Sequence, residues 1–217
     1  MSTSTVHRPA TARPAPHTTA STSRDRESIG VKLRDGSPAD LRPMARGETF
    51  ALEAVFAGMS PASRQSRYLV AMPLLPASYR RALSSVDGDL HVAWLGLVDG
   101  EPAAIARYVR LPPDHTAAEF AFEVVDRHHG RGLARLLLDA VTTVAAARGV
   151  RSMRATLAPG NWASRRLLAT PERRLRVVDG LLELEAPLGP PSSPRLDPGR
   201  VVDLQNLYTG RALAEAH

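Results

Sequence analysis

Cysteine is absent from all 217 residues. That excludes disulfides, a thiol nucleophile, thiolate-bound zinc and iron–sulfur clusters. Lysine occurs once, at Lys32, so the basic side of the balance (28 Lys+Arg against 22 Asp+Glu, formally +6) is almost wholly arginine. Such a composition suits anionic ligands such as phosphates, but +6 spread over the whole chain does not mark a nucleic-acid binder. Aromatic residues make up only 5% and are not interleaved with the basic ones, which argues against a stacking platform for single-stranded nucleic acid. No apolar run reaches the roughly 18 residues a membrane span needs. The longest uncharged stretch, Tyr68 to Tyr79, is broken by Pro73 and Pro76. His128 and His129 are adjacent rather than at ligand spacing, so no metal site is expected. A cytoplasmic protein is the default reading.

What is present is enough for one core. At 43% apolar, a domain of about 160 residues can hide roughly two-thirds of its unfolded surface. Residues 1–28 are Ser, Thr, Ala, Pro and Arg with almost no large apolar side chain, a composition that predicts a disordered tail. Residues 189–200 form a Pro-rich linker, and Val201 to His217 is expected to carry a short helix. Between the tails the pattern predicts a single mixed α/β domain over 29–188. Ile29 to Arg34 alternates as a strand. Ser37-Pro38-Ala39-Asp40 has the make-up of a helix start, and short helices are expected through Phe56, over Pro61–Leu69 and over Pro76–Ser84. Asp99-Gly100 and Asp179-Gly180 signal two hairpins. Ala118 to Val125 alternates as a strand, and Leu133, Leu136, Leu137, Ala140, Val141 and Val144 follow helical spacing up to a stop at Gly149.

The informative stretch runs from Val124 to Ala134. A strand ends, a basic turn containing Gly130 and Gly132 follows, and a long helix begins. A helix N-terminus offers unpaired amides and about half a positive charge, and glycine lets an anion approach the backbone closely. Arg127, Arg131 and Arg135 add charge, so a diphosphate fits. The dinucleotide and P-loop fingerprints are both absent. An ordinary strand-to-helix turn with solubilising arginines has the same local appearance.

His129-Gly130-Arg131-Gly132-Leu133-Ala134, with its strand and Leu-rich helix, resembles the acyl-CoA-binding motif Q/R-x-x-G-x-G/A of the GNAT acetyltransferases, with His129 in the first position. The resemblance covers about residues 29–186. It implies a mixed, mostly antiparallel sheet flanked by helices, and acetyl-CoA as co-substrate. The residues it implies for that co-substrate are Val124, Val125, His129, Gly130, Arg131, Gly132, Leu133, Ala134, Arg135 and Asn161. A narrower likeness joins Gly58-Met59-Ser60-Pro61-Ala62-Ser63-Arg64, Ala106-Arg107-Tyr108 and Ala118-Glu119-Phe120-Ala121 to bacterial protein lysine acetyltransferases that modify acyl-CoA synthetases.

The resemblance further implies that backbone near Val124 and Val125 pairs with the pantetheine arm, and that Glu119 is the base. Glu123, about 13 Å along the same strand face, is expected to orient substrate or to be structural. The bland alternative for Glu119 is an edge glutamate paired with an arginine such as Arg107, and for Asn161 a plain helix cap. Leu168 stands where many members carry a tyrosine acid, and Pro171-Glu172-Arg173 replaces the usual Gly-Phe. The acceptor implied is a protein lysine, with an acyl-CoA synthetase as one candidate. A small-amine acetyltransferase and a non-catalytic CoA-binding module are the rival readings.

Overall fold

The computed structural model describes residues 27–113, 115–189 and 194–214. The disordered tail expected over 1–28 lies almost wholly outside these, as does the middle of the Pro-rich linker. In chain order the elements are β1 (Ile29–Lys32), β2 (Pro38–Pro43), α1 (Thr49–Ala57), α2 (Pro61–Tyr68), α3 (Ala77–Ser84), β3 (His91–Val98), β4 (Glu101–Leu111) and β5 (Ala117–Val124). A single 3-10 turn at Asp126–His128 leads to α4 (Leu133–Ala147), followed by β6 (Ser152–Leu157), α5 (Trp162–Leu167), β7 (Arg174–Val178), β8 (Leu181–Pro187) and α6 (Pro198–Ala214). The eight strands form one sheet in the order β1-β2-β3-β4-β5-β6-β8-β7. Every pairing is antiparallel except β5 with β6.

One expectation is overturned. Ser37-Pro38-Ala39-Asp40 does not open a helix but the strand β2, paired with β1 on one side and β3 on the other. The Asp35 carboxylate accepts hydrogen bonds from the Ser37 amide (3.1 Å) and hydroxyl (2.6 Å), so Ser37 closes a turn instead of capping a helix. Pro38 takes the first strand position, and Ala39, Leu41 and Pro43 alternate into the core.

The sheet carries one apolar layer on each face. On one face α1 buries Leu52, Val55 and Ala51 with Leu95, Ile105 and Val125. On the other, α4 and α6 cover Trp94, Tyr108 and Phe120 with Leu137, Val141 and Val201. Trp94 is fully buried and its Nε1–H donates to Gln205 Oε1 of α6 (2.9 Å), so the indole gains a partner in the apolar layer.

The feature that positions the site is a fork. β5 and β6 pair only over Ala117–Glu119 and Ser152–Arg154, although both strands run on. Beyond Glu119 they part, and the edge of β5 that faces β6 is left without a strand.

Candidate active site

The turn after β5 combines two conditions that an anion needs. Gly130 and Gly132 have φ of +74° and +93°, a region that L side chains avoid. Gly132 is the N-cap of α4, with no side-chain cap and no acid in the first helical turn. The first amides of α4 therefore have neither a carbonyl behind them nor a side-chain acceptor. They open on a cleft of about 620 Å³ at the fork. Val124, His129, Gly130, Gly132, Leu133, Ala134, Arg135 and Asn161 all line it. Although Leu133 is on that wall, its side chain is buried in the core, so it anchors the turn and leaves only backbone to the cleft.

Three of the expected site residues stand outside that lining. Arg131 turns away: its Nε donates to Asp35 (2.6 Å), its Nη2 to the Ser37 hydroxyl (2.5 Å), and its Nη1 lies 2.6 Å from His128 Nδ1. Hydrogen bonds from Ser37 and then Arg131 hold the Asp35 carboxyl at about 2. Val125 has its amide bonded to the Ala103 carbonyl (2.9 Å) and its side chain buried under α1. Glu119 is exposed at the root of the fork, its carboxylate 3.5 Å from the Thr156 hydroxyl. Its alternative partner, Arg107, is engaged elsewhere.

That engagement is with Glu123, the buried carboxylate of the cleft. Arg107 Nη2 donates to it at 3.0 Å, the Tyr68 hydroxyl at 2.8 Å, and Arg67 Nε stands 3.5 Å away. Burial alone would raise its pKa, but Arg67, Arg107 and the Tyr68 hydrogen bond outweigh burial and hold the carboxyl below its ordinary value. Burial, with Glu123 alongside, pushes the Tyr68 hydroxyl well up, so it stays a donor. Glu123 thus fastens α2 to β5. The strand alternation located Glu123 on its face, but its partners Arg67 and Tyr68 lie more than fifty residues away in sequence.

The Gly58 to Arg64 motif serves the same joint. A Cβ on Gly58 would lie 2.6 Å from Val125 Cγ1, so only glycine lets the α1–α2 corner sit on the end of β5. The Gly58 carbonyl accepts from the Asp126 amide (3.1 Å). The Ser60 hydroxyl caps α2 by accepting from the Ser63 amide (3.2 Å), with Pro61 at the first helical position. Burial opposes ionisation of Asp126, but the Ser60 and Ser63 hydroxyls prevail and keep its carboxyl below the usual range. Arg64 donates to the carbonyls of Phe56 and Pro73 and lies over the Phe56 ring.

On the far wall, Asn161 Oδ1 accepts from the Ser164 amide (3.0 Å), so Asn161 caps α5 while lining the cleft. Leu168 is buried in the core and offers the cleft nothing. The His129 Nε2–H donates to the Val124 carbonyl (2.9 Å). Phe122 and Glu123, the next residues back along β5, line the cleft where β6 has parted from it.

This geometry has known relatives. Residues 62–170 match the model of the acetyltransferase (GNAT) family. The GNAT domain of S. lividans PAT superposes with a TM-score of 0.69 at 28% identity, covering 75% of this chain and 98% of that one. A cAMP-binding acyltransferase from Mycobacterium smegmatis gives 0.63 at 24% identity, covering 86% of this chain and 56% of that one, so this chain spans little more than half its length. An acetyltransferase of the GNAT family from Streptococcus pneumoniae shares the fold, with a TM-score of 0.53 at 16% identity over 70% of this chain and 99% of that one. A family match over half the sequence makes this chain a GNAT-family acyltransferase.

Proposed function

We propose that the protein acts in the cytoplasm and transfers acetyl from acetyl-CoA to a protein lysine, by direct attack within a ternary complex. The observation that carries this reading is the set of open amides at Gly132–Ala134 on the wall of the cleft, in a family that uses acetyl-CoA. Those amides and the adjacent arginines suit a diphosphate. The pantetheine arm then lies along β5 beyond Glu119, where β6 has parted and residues 120–123 have a free edge. A protein acceptor is supported by the S. lividans relative, a protein acetyltransferase.

A lysine near pKa 10.4 is neutral only about once in 10³ molecules at pH 7, a penalty of roughly 4–5 kcal/mol. A carboxylate that receives the proton lowers that barrier. Glu119 suits this role because it is exposed at the fork and, among the described residues, its carboxylate has only the distant Thr156 hydroxyl as a hydrogen-bond neighbour. Glu123 does not suit it, being saturated by Tyr68 and Arg107. In the transfer, the amine nitrogen forms the amide bond as the thioester C–S bond breaks. Glu119 takes the amine proton, directly or through water, and the departing thiolate is protonated by water, since Leu168 supplies no acid.

The test is incubation with acetyl-CoA and either an acyl-CoA synthetase or a mixture of lysine-bearing proteins, read by mass spectrometry. Acetyl-lysine is the expected product. Free CoA formed only with small amines would replace the protein acceptor, and binding without turnover on any amine would leave a non-catalytic module.

A further inference from the structure

Arg131, the arginine inside the glycine motif, is paired with Asp35, which leaves Arg135 as the motif's arginine on the cleft wall, where a doubly charged diphosphate suits a second cation. The turn between β1 and β2 supplies one. The Arg34 amide donates to the Arg131 carbonyl (2.9 Å), while the Arg131 guanidinium grips Asp35 and Ser37 on the same turn. Residues 34–37 and the loop before α4 are therefore clamped together from both directions. The clamp lays the Arg34 side chain across Gly132: a Cβ on that glycine would lie 3.2 Å from Arg34 Cγ and 3.5 Å from its Nε. Arg34 lines the cleft with Gly130, Gly132 and Ala134. It is exposed, and among the described residues no carboxylate pairs with its guanidinium.

We infer that Arg34, laid over Gly132 by the clamp between the β1–β2 turn and the loop before α4, is a binding residue for the diphosphate ester of the acyl-CoA. The inference rests on the reading of the cleft as an acyl-CoA site. It assigns the cation to a turn about a hundred residues before the motif. A planar guanidinium beside open amides recognises a diphosphate by paired charge-assisted hydrogen bonds.

The experiment is calorimetric titration of wild type, Arg34→Ala and Arg34→Lys with acetyl-CoA, 3′-dephospho-acetyl-CoA and phosphate-free S-acetylpantetheine. Arg34→Ala is expected to weaken acetyl-CoA about tenfold, the loss of one charge-assisted contact. It should weaken the 3′-dephospho compound equally and leave acetylpantetheine unchanged, with Arg34→Lys recovering part of the loss. Unaltered acetyl-CoA affinity in Arg34→Ala would overturn the inference alone. A penalty that vanishes with the 3′-dephospho compound would overturn the diphosphate assignment in favour of the 3′-phosphate. No uptake of acetyl-CoA by wild type would instead overturn the reading of the cleft, and the inference with it.

Discussion

Glu119 and Glu123 share one strand face and differ in everything that decides chemistry. Glu123 is enclosed by Tyr68, Arg67 and Arg107, which makes it a poor proton acceptor and a strong fastening. Glu119 is exposed beside an opening. Replacing Glu119 with Gln is expected to lower kcat by about 10²-fold or more and to leave acetyl-CoA affinity unchanged, because the residue stands away from the phosphate end. Steady-state kinetics beside calorimetry would check both halves. His91 gives a prediction of another kind. Burial, aided by Arg107, lowers its imidazole from 6.5 to about 4, so the folded protein keeps it neutral where the unfolded chain would protonate it. The stability this provides is complete above pH 6.5 and is lost as pH falls from there towards 4. Thermal melts between pH 7.5 and 5 should show the midpoint falling on acidification. The fall should be shallower in His91→Gln.

Among the elements, α2 links the two halves of the chemistry. Its N-terminus is fixed by Ser60 and Asp126 beside the glycine turn, and its last turn by Tyr68 and Glu123 at the cleft wall. The corner before it depends on Gly58. Gly58→Ala forces a methyl group into Val125, a buried β-branched side chain with little room to yield. The expected cost is about 1–3 kcal/mol in denaturant unfolding, with weakened turnover in the same variant because α2 and the turn shift together. The elements also show what the residues alone could convey. β5, the glycine turn and α4 were legible because their periods of two and 3.6 are local properties. Ser37-Pro38-Ala39-Asp40 was not, since Ser-Pro-x-Asp satisfies a helix cap and a turn into a strand equally well. The choice is made by pairing with β1 and with β3, and β3 lies more than fifty residues further along the chain. In the same way Arg131 was legible as a cation in the motif, but not the Asp35 that neutralises it, and Arg34 carried no signal at all.

At the scale of the molecule, the sheet is covered on both faces, by α1 on one and by α4 with α6 on the other, and among the described residues it opens between β5 and β6. That opening is where β5 leaves β6, and α4 presents its N-terminus to it. The arginine excess that looked diffuse in the composition includes Arg34, Arg67, Arg135 and Arg166 on the cleft wall. The fork's depth and the saturation of Glu123 emerge only from tertiary packing. The account stands on the claim that the bare amides of Gly132–Ala134 hold the diphosphate of an acyl-CoA. Isothermal titration of folded wild-type protein with acetyl-CoA tests it most directly. One equivalent should bind, and Gly132→Val, which sets a branched side chain at φ +93° against Arg34, should bind far more weakly while remaining folded by circular dichroism. Absence of binding to the folded wild type, or undiminished binding by the Gly132→Val variant, would contradict the account.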